Sequence, residues 1–128
     1  MRKILKRAPA EYQLILSRKK SEDVPAFVFT LQTVKEFRSF QYLISVETEI
    51  REKEIRFGIK GLQTPGVALP RSGPATFSIE FPHLIGRYEI VVSKSDGEEN
   101  SFLINVRGES VTVEKAPEKK FVELVVQL

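Results

Sequence analysis

The 128-residue chain has no cysteine, no tryptophan and a single histidine, His83. Without cysteine there is no disulfide, no thiolate metal site and no cysteine nucleophile, and the absence fits a reducing compartment. One histidine all but removes a histidine-based metal site. A Ser-His-acid triad would have to use His83, yet no Gly-x-Ser-x-Gly elbow is present to supply its nucleophile. His83 follows Pro82 in a turn pattern and reads as a surface turn residue. A long apolar run is also missing. The opening "MRKILKRAPAEYQLIL" begins basic, but Ile4 and Leu5 sit between basic residues and the later "LIL" is short. A secretory signal takes roughly 7–15 apolar residues and a membrane helix about 20. With Met1 as the native start, the expectation is a cytoplasmic protein without a transmembrane segment.

What is present describes an ordinary globular chain, 41% hydrophobic and 29% charged, long enough for one domain with a real core. Charge is unevenly spread. The first twenty residues carry Arg2, Lys3, Lys6, Arg7, Arg18, Lys19 and Lys20 against Glu11, or 7 − 1 = +6, and the remainder sums to 13 − 16 = −3. A basic arm over residues 1–10, with Arg2, Lys3, Lys6 and Arg7 as its contacts, offers a way to hold nucleic acid or an anionic surface. The simpler reading is a solvated terminus, because no stacking aromatics are interleaved with these cations.

The dominant pattern has period two. Tyr12, Leu14 and Leu16 alternate with Gln13 and Ser17, and Phe27, Phe29 and Leu31 with Val28, Thr30 and Gln32. The same holds for Ile55, Phe57 and Ile59, and for Phe77, Ile79 and Phe81. Alternation puts one face of each strand on a core and the other in water. The expected fold is all-β: an antiparallel β-sandwich of about eight to nine strands, with a barrel as the alternative.

Three stretches carry finer signals. Residues 34–54 contain Val34, Phe37, Phe40 and Ile44 near helical spacing, but the even positions from Phe40 to Ile50 alternate throughout, which predicts one long strand. Parity switches across Gly108, from Phe102, Ile104 and Val106 to Val111 and Val113, as either a β-bulge or a tight turn requires. The last stretch, "FVELVVQL", is apolar on both faces. Val122, Leu124 and Val126 share one, and Phe121 and Val125 the other. A strand buried twice, or one that pairs with another chain, has this composition.

The pattern Leu84-x-Gly86-x-Tyr88-x-Ile90-x-Val92 resembles the tyrosine corner of immunoglobulin-like sandwiches, in which the tyrosine hydroxyl bonds to nearby backbone. Ile90 stands where antibody domains place their second cysteine. The resemblance implies an immunoglobulin-like superfold, which hosts binding, adhesive and structural roles alike. The stretch from Phe77 to Val106 also looks like the closing strands of bacterial sandwich modules that bind sugars or act as spacers.

Candidate sites are few. Glu47, Glu49, Glu52 and Glu54 cluster near one turn, but Arg51, Lys53 and Arg56 interleave with them as on a solvated face. Asp96, Glu98, Glu99 and Asn100 lack the spacing of a calcium loop and read as a hairpin tip. The loop Gly61–Pro74 holds three of the seven glycines and three of the seven prolines, with Leu62, Val67 and Leu69 as an apolar tip and Gln63 and Arg71 as polar contacts. Its simpler role is a crossover packed over one end of the fold. These readings predict a non-catalytic module that binds a protein partner, or itself through the final strand at Phe121 and Val125, and that needs no cofactor. The alternatives are a carbohydrate or small-ligand binder, disfavoured because Tyr12, Tyr42 and Tyr88 fall on core faces, and an anionic-surface binder.

Overall fold

The computed structural model describes residues 10–19, 26–37, 42–63 and 73–128. Their regular elements are all strands. These are β1 (Tyr12–Lys19), β2 (Ala26–Phe37), β3 (Leu43–Arg51), β4 (Glu54–Gln63), β5 (Gly73–Pro82), β6 (Gly86–Ser93), β7 (Glu99–Arg107), β8 (Ser110–Lys115) and β9 (Val122–Gln127). The all-β expectation and the strand number stand.

The expectation of purely antiparallel pairing does not. Hydrogen bonds link the strands in the order β8-β7-β6-β4-β3-β5-β2-β1-β9, and the pairs β1–β9 and β4–β6 are parallel. Alternation in a sequence reports that one face of a strand is covered. It carries no record of which way the neighbour runs. The β3–β5 junction is thin, with one parallel pair, Leu43–Thr76, beside a bond from Thr76 N to the Tyr42 carbonyl.

The sheet curls into a barrel-like form around its own core. Phe29 on β2 and Phe57 on β4 have two strands, β5 and β3, between them in the pairing order, yet their ring centroids lie 5.6 Å apart. Phe81 meets Phe29 edge-on at 5.4 Å, and Leu14, Leu16, Ile90, Val92 and Ile104 complete an interior with no exposed surface. Interdigitated side chains of this kind form a close-packed core and leave no lumen.

Residues 34–54 are divided between two strands. Val34–Phe37 end β2 and Leu43–Arg51 form β3, while Phe40 lies outside the described residues. The division begins at a register shift where β2 passes β5 between Gln32 and Glu36. There the Thr33 hydroxyl accepts from Ala75 N and donates to the Lys35 carbonyl, both at 2.8 Å. A side chain thus replaces the ladder bonds that the irregularity removes. At Gly108 the parity switch is a tight turn, since Arg107 pairs with Ser110 across the two-residue loop and Gly108 takes φ 57°. The Asp96–Gly97 stretch is the tip of the β6–β7 hairpin, closed by Lys94 N to the Glu98 carbonyl and Gly97 N to the Lys94 carbonyl, each at 2.9 Å.

Tyr88 is buried on β6. Its hydroxyl accepts from Ile85 N at 3.2 Å, and the Lys53 ammonium lies 4.5 Å from its ring centroid while donating to the Ile85 carbonyl at 2.7 Å. His83, in the adjoining turn, is exposed and left-handed at φ 59°.

One end of the molecule is drawn together by two polar residues. Asn100, at the start of β7, is buried, and its carbonyl oxygen accepts from Phe121 N at 2.9 Å and Val122 N at 3.2 Å. Its amide donates to the Lys119 carbonyl at 3.0 Å. Lys94, in the β6–β7 hairpin, pairs with Glu11 at 2.9 Å and Glu98 at 3.0 Å and lies 4.9 Å from the Phe121 ring centroid. The approaches to β1 and β9 are thereby tied to the β6–β7 hairpin, although these elements are distant in the pairing order.

The same cluster sets an alkaline limit on stability. The hydrogen bonds that it donates to the Glu11 and Glu98 carboxylates hold the Lys94 ammonium above its ordinary value of 10.5, and burial, assisted by Glu11, holds the Tyr12 hydroxyl above 10.0. Both groups keep their protons more firmly when folded than unfolded. Their contribution is therefore complete below the unfolded values and disappears as pH climbs through the raised ones. Melting temperature should fall from pH 10 upward, and Lys94→Met should flatten that fall. An equal slope in wild type and variant would contradict the assignment.

Candidate functional site

Several sequence candidates lie outside the described residues: Val67, Leu69 and Arg71 of the loop, and Arg2, Lys3, Lys6 and Arg7 of the basic arm. The loop is shorter than its composition implies. Gly61, Leu62 and Gln63 continue β4, and Gly73 and Pro74 open β5. Leu62 and Gln63 are both exposed at the end of β4. The glutamate cluster is laced with surface ion pairs, Arg51–Glu49 at 2.6 Å, Arg56–Glu54 at 3.3 Å and Lys60–Glu47 at 3.6 Å. Among the described residues, no group of three or more histidine, cysteine or acidic residues is placed to hold a metal. No helix there is long and apolar enough to cross a membrane.

The final strand is where the structure is most informative. β9 stands at one end of the pairing order, with β1 as its one neighbour among the described strands. Of the two residues expected on its second face, Phe121 is a correction. It precedes β9 and is buried at 5% exposure among the core side chains, because the chain bends there to meet Asn100 and Lys94. Val125 does face outward, opposite Leu124, which packs against the core, and it is half-buried beside Ile15.

Register assembles a continuous surface from there. Across β9, β1, β2 and β5, three adjacent rows face outward: Glu123–Gln13–Gln32–Thr76, Val125–Ile15–Thr30–Ser78 and Gln127–Ser17–Val28–Glu80. Only Glu123 and Glu80 are charged, and they occupy opposite corners, with Glu80 held by Lys19 at 2.9 Å. Within the grid the polar groups bond to each other, Gln32 to Gln13 and Thr30 to Ser78, both at 3.0 Å. The outer face of the other strands is different. Arg56 bridges Glu54 and Glu99 there, and Arg87 meets Glu114 at 2.7 Å, holding that carboxyl below its usual range. The outer face of those strands is laced with charge, whereas the twelve positions of the grid hold two charged residues.

Family models, curated proteins and solved structures give no match to this chain. The functional reading therefore rests on the surface itself. A sheet face with so few charges costs little to desolvate, because few ionic groups lose water on contact. Beside it, β9 has no strand on its second side among the described residues, and its backbone groups there are strong and directional. The arrangement suits contact with another polypeptide. The opposite edge, β8, carries Glu114 and Lys115, and charged residues of that kind are the usual guard against strand addition. The outward positions on β2 and β5 follow from the sequence pattern, but only the strand order brings the rows together.

Proposed function

We propose that the chain is a non-catalytic interaction module that takes up an extended segment of a protein at the β9 edge, with the outer face of β9, β1 and β2 as its contact surface. The observation that supports this most is the coincidence of the end strand of the described sheet with a grid whose centre, Val125, Ile15 and Thr30, is free of charge. Main-chain bonds supply affinity in strand addition, and the side chains on the adjoining face supply selectivity. The hydrogen bond to the Tyr88 hydroxyl supports an immunoglobulin-like corner within the mixed sheet, a superfold often used for binding. The carbohydrate reading gains no such support, since Tyr88 is buried and Tyr12 and Tyr42 are half-buried against the core.

The test uses an octapeptide of alternating valine and threonine, titrated into dilute protein and followed by amide chemical shifts. Saturable binding is expected, with a dissociation constant of roughly 10 μM to 1 mM and shifts confined to β9, β1 and the grid. Shifts confined to β8, or none at millimolar peptide, would overturn the reading.

A further inference from the structure

We propose that the segment accepted by β9 is the β9 strand of a second copy of this chain, paired antiparallel about a two-fold axis at Val125. The inference rests on the strand-addition reading above. Its basis is the direction of the backbone groups. The Phe121 carbonyl accepts from Glu11 N at 2.8 Å and Tyr12 N at 3.0 Å, and β9 then continues in parallel register along β1. Strand alternation turns the amides and carbonyls of Glu123, Val125 and Gln127 toward β1, and those of Val122, Leu124 and Val126 the opposite way. The Val122 N–H is already held by Asn100. Inside the strand, the amides left for a newcomer among the described residues are those of Leu124 and Val126.

A two-fold axis at Val125 uses both. Leu124 of each copy faces Val126 of the other, and each of these pairs exchanges two main-chain bonds. The side chains agree with this register. Glu123 lies opposite Gln127, whose amide donates to the carboxylate, and valine lies opposite valine at the centre. Moving the axis to Glu123 would set two carboxylates against each other, and moving it to Leu124 would set Glu123 against Val125. An isologous contact of this form closes on itself. It also joins the two grids into one face.

Because the chain lacks cysteine, a single introduced thiol reports the register directly. Residues at a non-hydrogen-bonded antiparallel position have Cα atoms about 4.5 Å apart, inside the range of about 4.4–6.8 Å that a disulfide spans. Wild-type protein should show a mass that rises to the dimer with concentration in sedimentation equilibrium. Val125→Cys should oxidise to a covalent dimer at least about tenfold faster than Ile50→Cys, an exposed control on β3. Val125→Lys should weaken dimerisation on the order of 100-fold by facing two ammonium groups, with the melting temperature of the dilute monomer unchanged. A wild type that stays monomeric to millimolar concentration would overturn the proposal, as would a dimer in which Val125→Cys crosslinks no faster than the control. If that monomer still binds the valine–threonine peptide, only self-pairing fails. If it binds neither, the strand-addition reading fails with it.

Discussion

Replacing Asn100 with leucine is expected to cost about 3–5 kcal/mol, despite the similar size of the two side chains. Asn100 is buried at 3% exposure and satisfies three backbone groups of the approach to β9, namely Lys119 O, Phe121 N and Val122 N. Leucine can serve none of them. Each buried amide or carbonyl left unpaired carries a penalty of about 1–3 kcal/mol, which is large against a total stability of about 5–15 kcal/mol. A drop in melting temperature of roughly 10–20 °C should follow. The signature that separates this latch from a generic core residue is local. Amides of Phe121 and Val122 should exchange with solvent well before those of β6 and β7 in the variant. A loss under 1 kcal/mol, or uniform exchange, would show that Asn100 does not tie the two ends together.

Truncating Phe29 to alanine should be as damaging, for a different reason. The ring has no exposed surface and meets Phe81 from the adjoining strand β5 and Phe57 from β4, which is reached only by the curl of the sheet. Its loss opens a cavity between the two sides of the interior that neither ring can fill without moving its own strand. Removal of a buried phenylalanine costs about 3–5 kcal/mol, and denaturant unfolding should show a lower midpoint with an unchanged slope. Phe29→Leu keeps most of the volume and should lose about 1–2 kcal/mol. If both variants lost equally little, the contact between β2 and β4 would not be organising the core.

These two residues show what the sequence could and could not reveal. Phe29 belongs to an alternating run, so its burial follows from period alone. Asn100 sits in an acidic hairpin tip and carries no local mark of burial, because its partners at Lys119, Phe121 and Val122 come from the far end of the β7–β9 region. Phe121 was misplaced for the same reason. Counting by twos assumes an unbroken strand, and the chain bends there before β9 begins. The parallel neighbours of β1 and β4 were equally hidden, since side-chain alternation is the same in both pairing directions. Val125 was legible as an apolar residue on the second face of a double-sided strand. Its setting was not, since the uncharged positions of β1, β2 and β5 are scattered from Gln13 to Ser78 until pairing places them in rows. The loop candidates Leu62 and Gln63 were marked by glycine and proline content, yet those residues continue β4.

The central claim is that β9 presents the backbone of Leu124 and Val126 to a partner strand. Residue-resolved hydrogen exchange across a dilution series tests it most directly. At the lowest concentration the amides of Glu123 and Val125 should be protected by β1 while those of Leu124 and Val126 exchange freely, and protection of the latter pair should rise with concentration. Leu124 and Val126 amides protected as strongly as Val125 at every dilution would mean that the edge is already occupied within the chain, and would contradict the account.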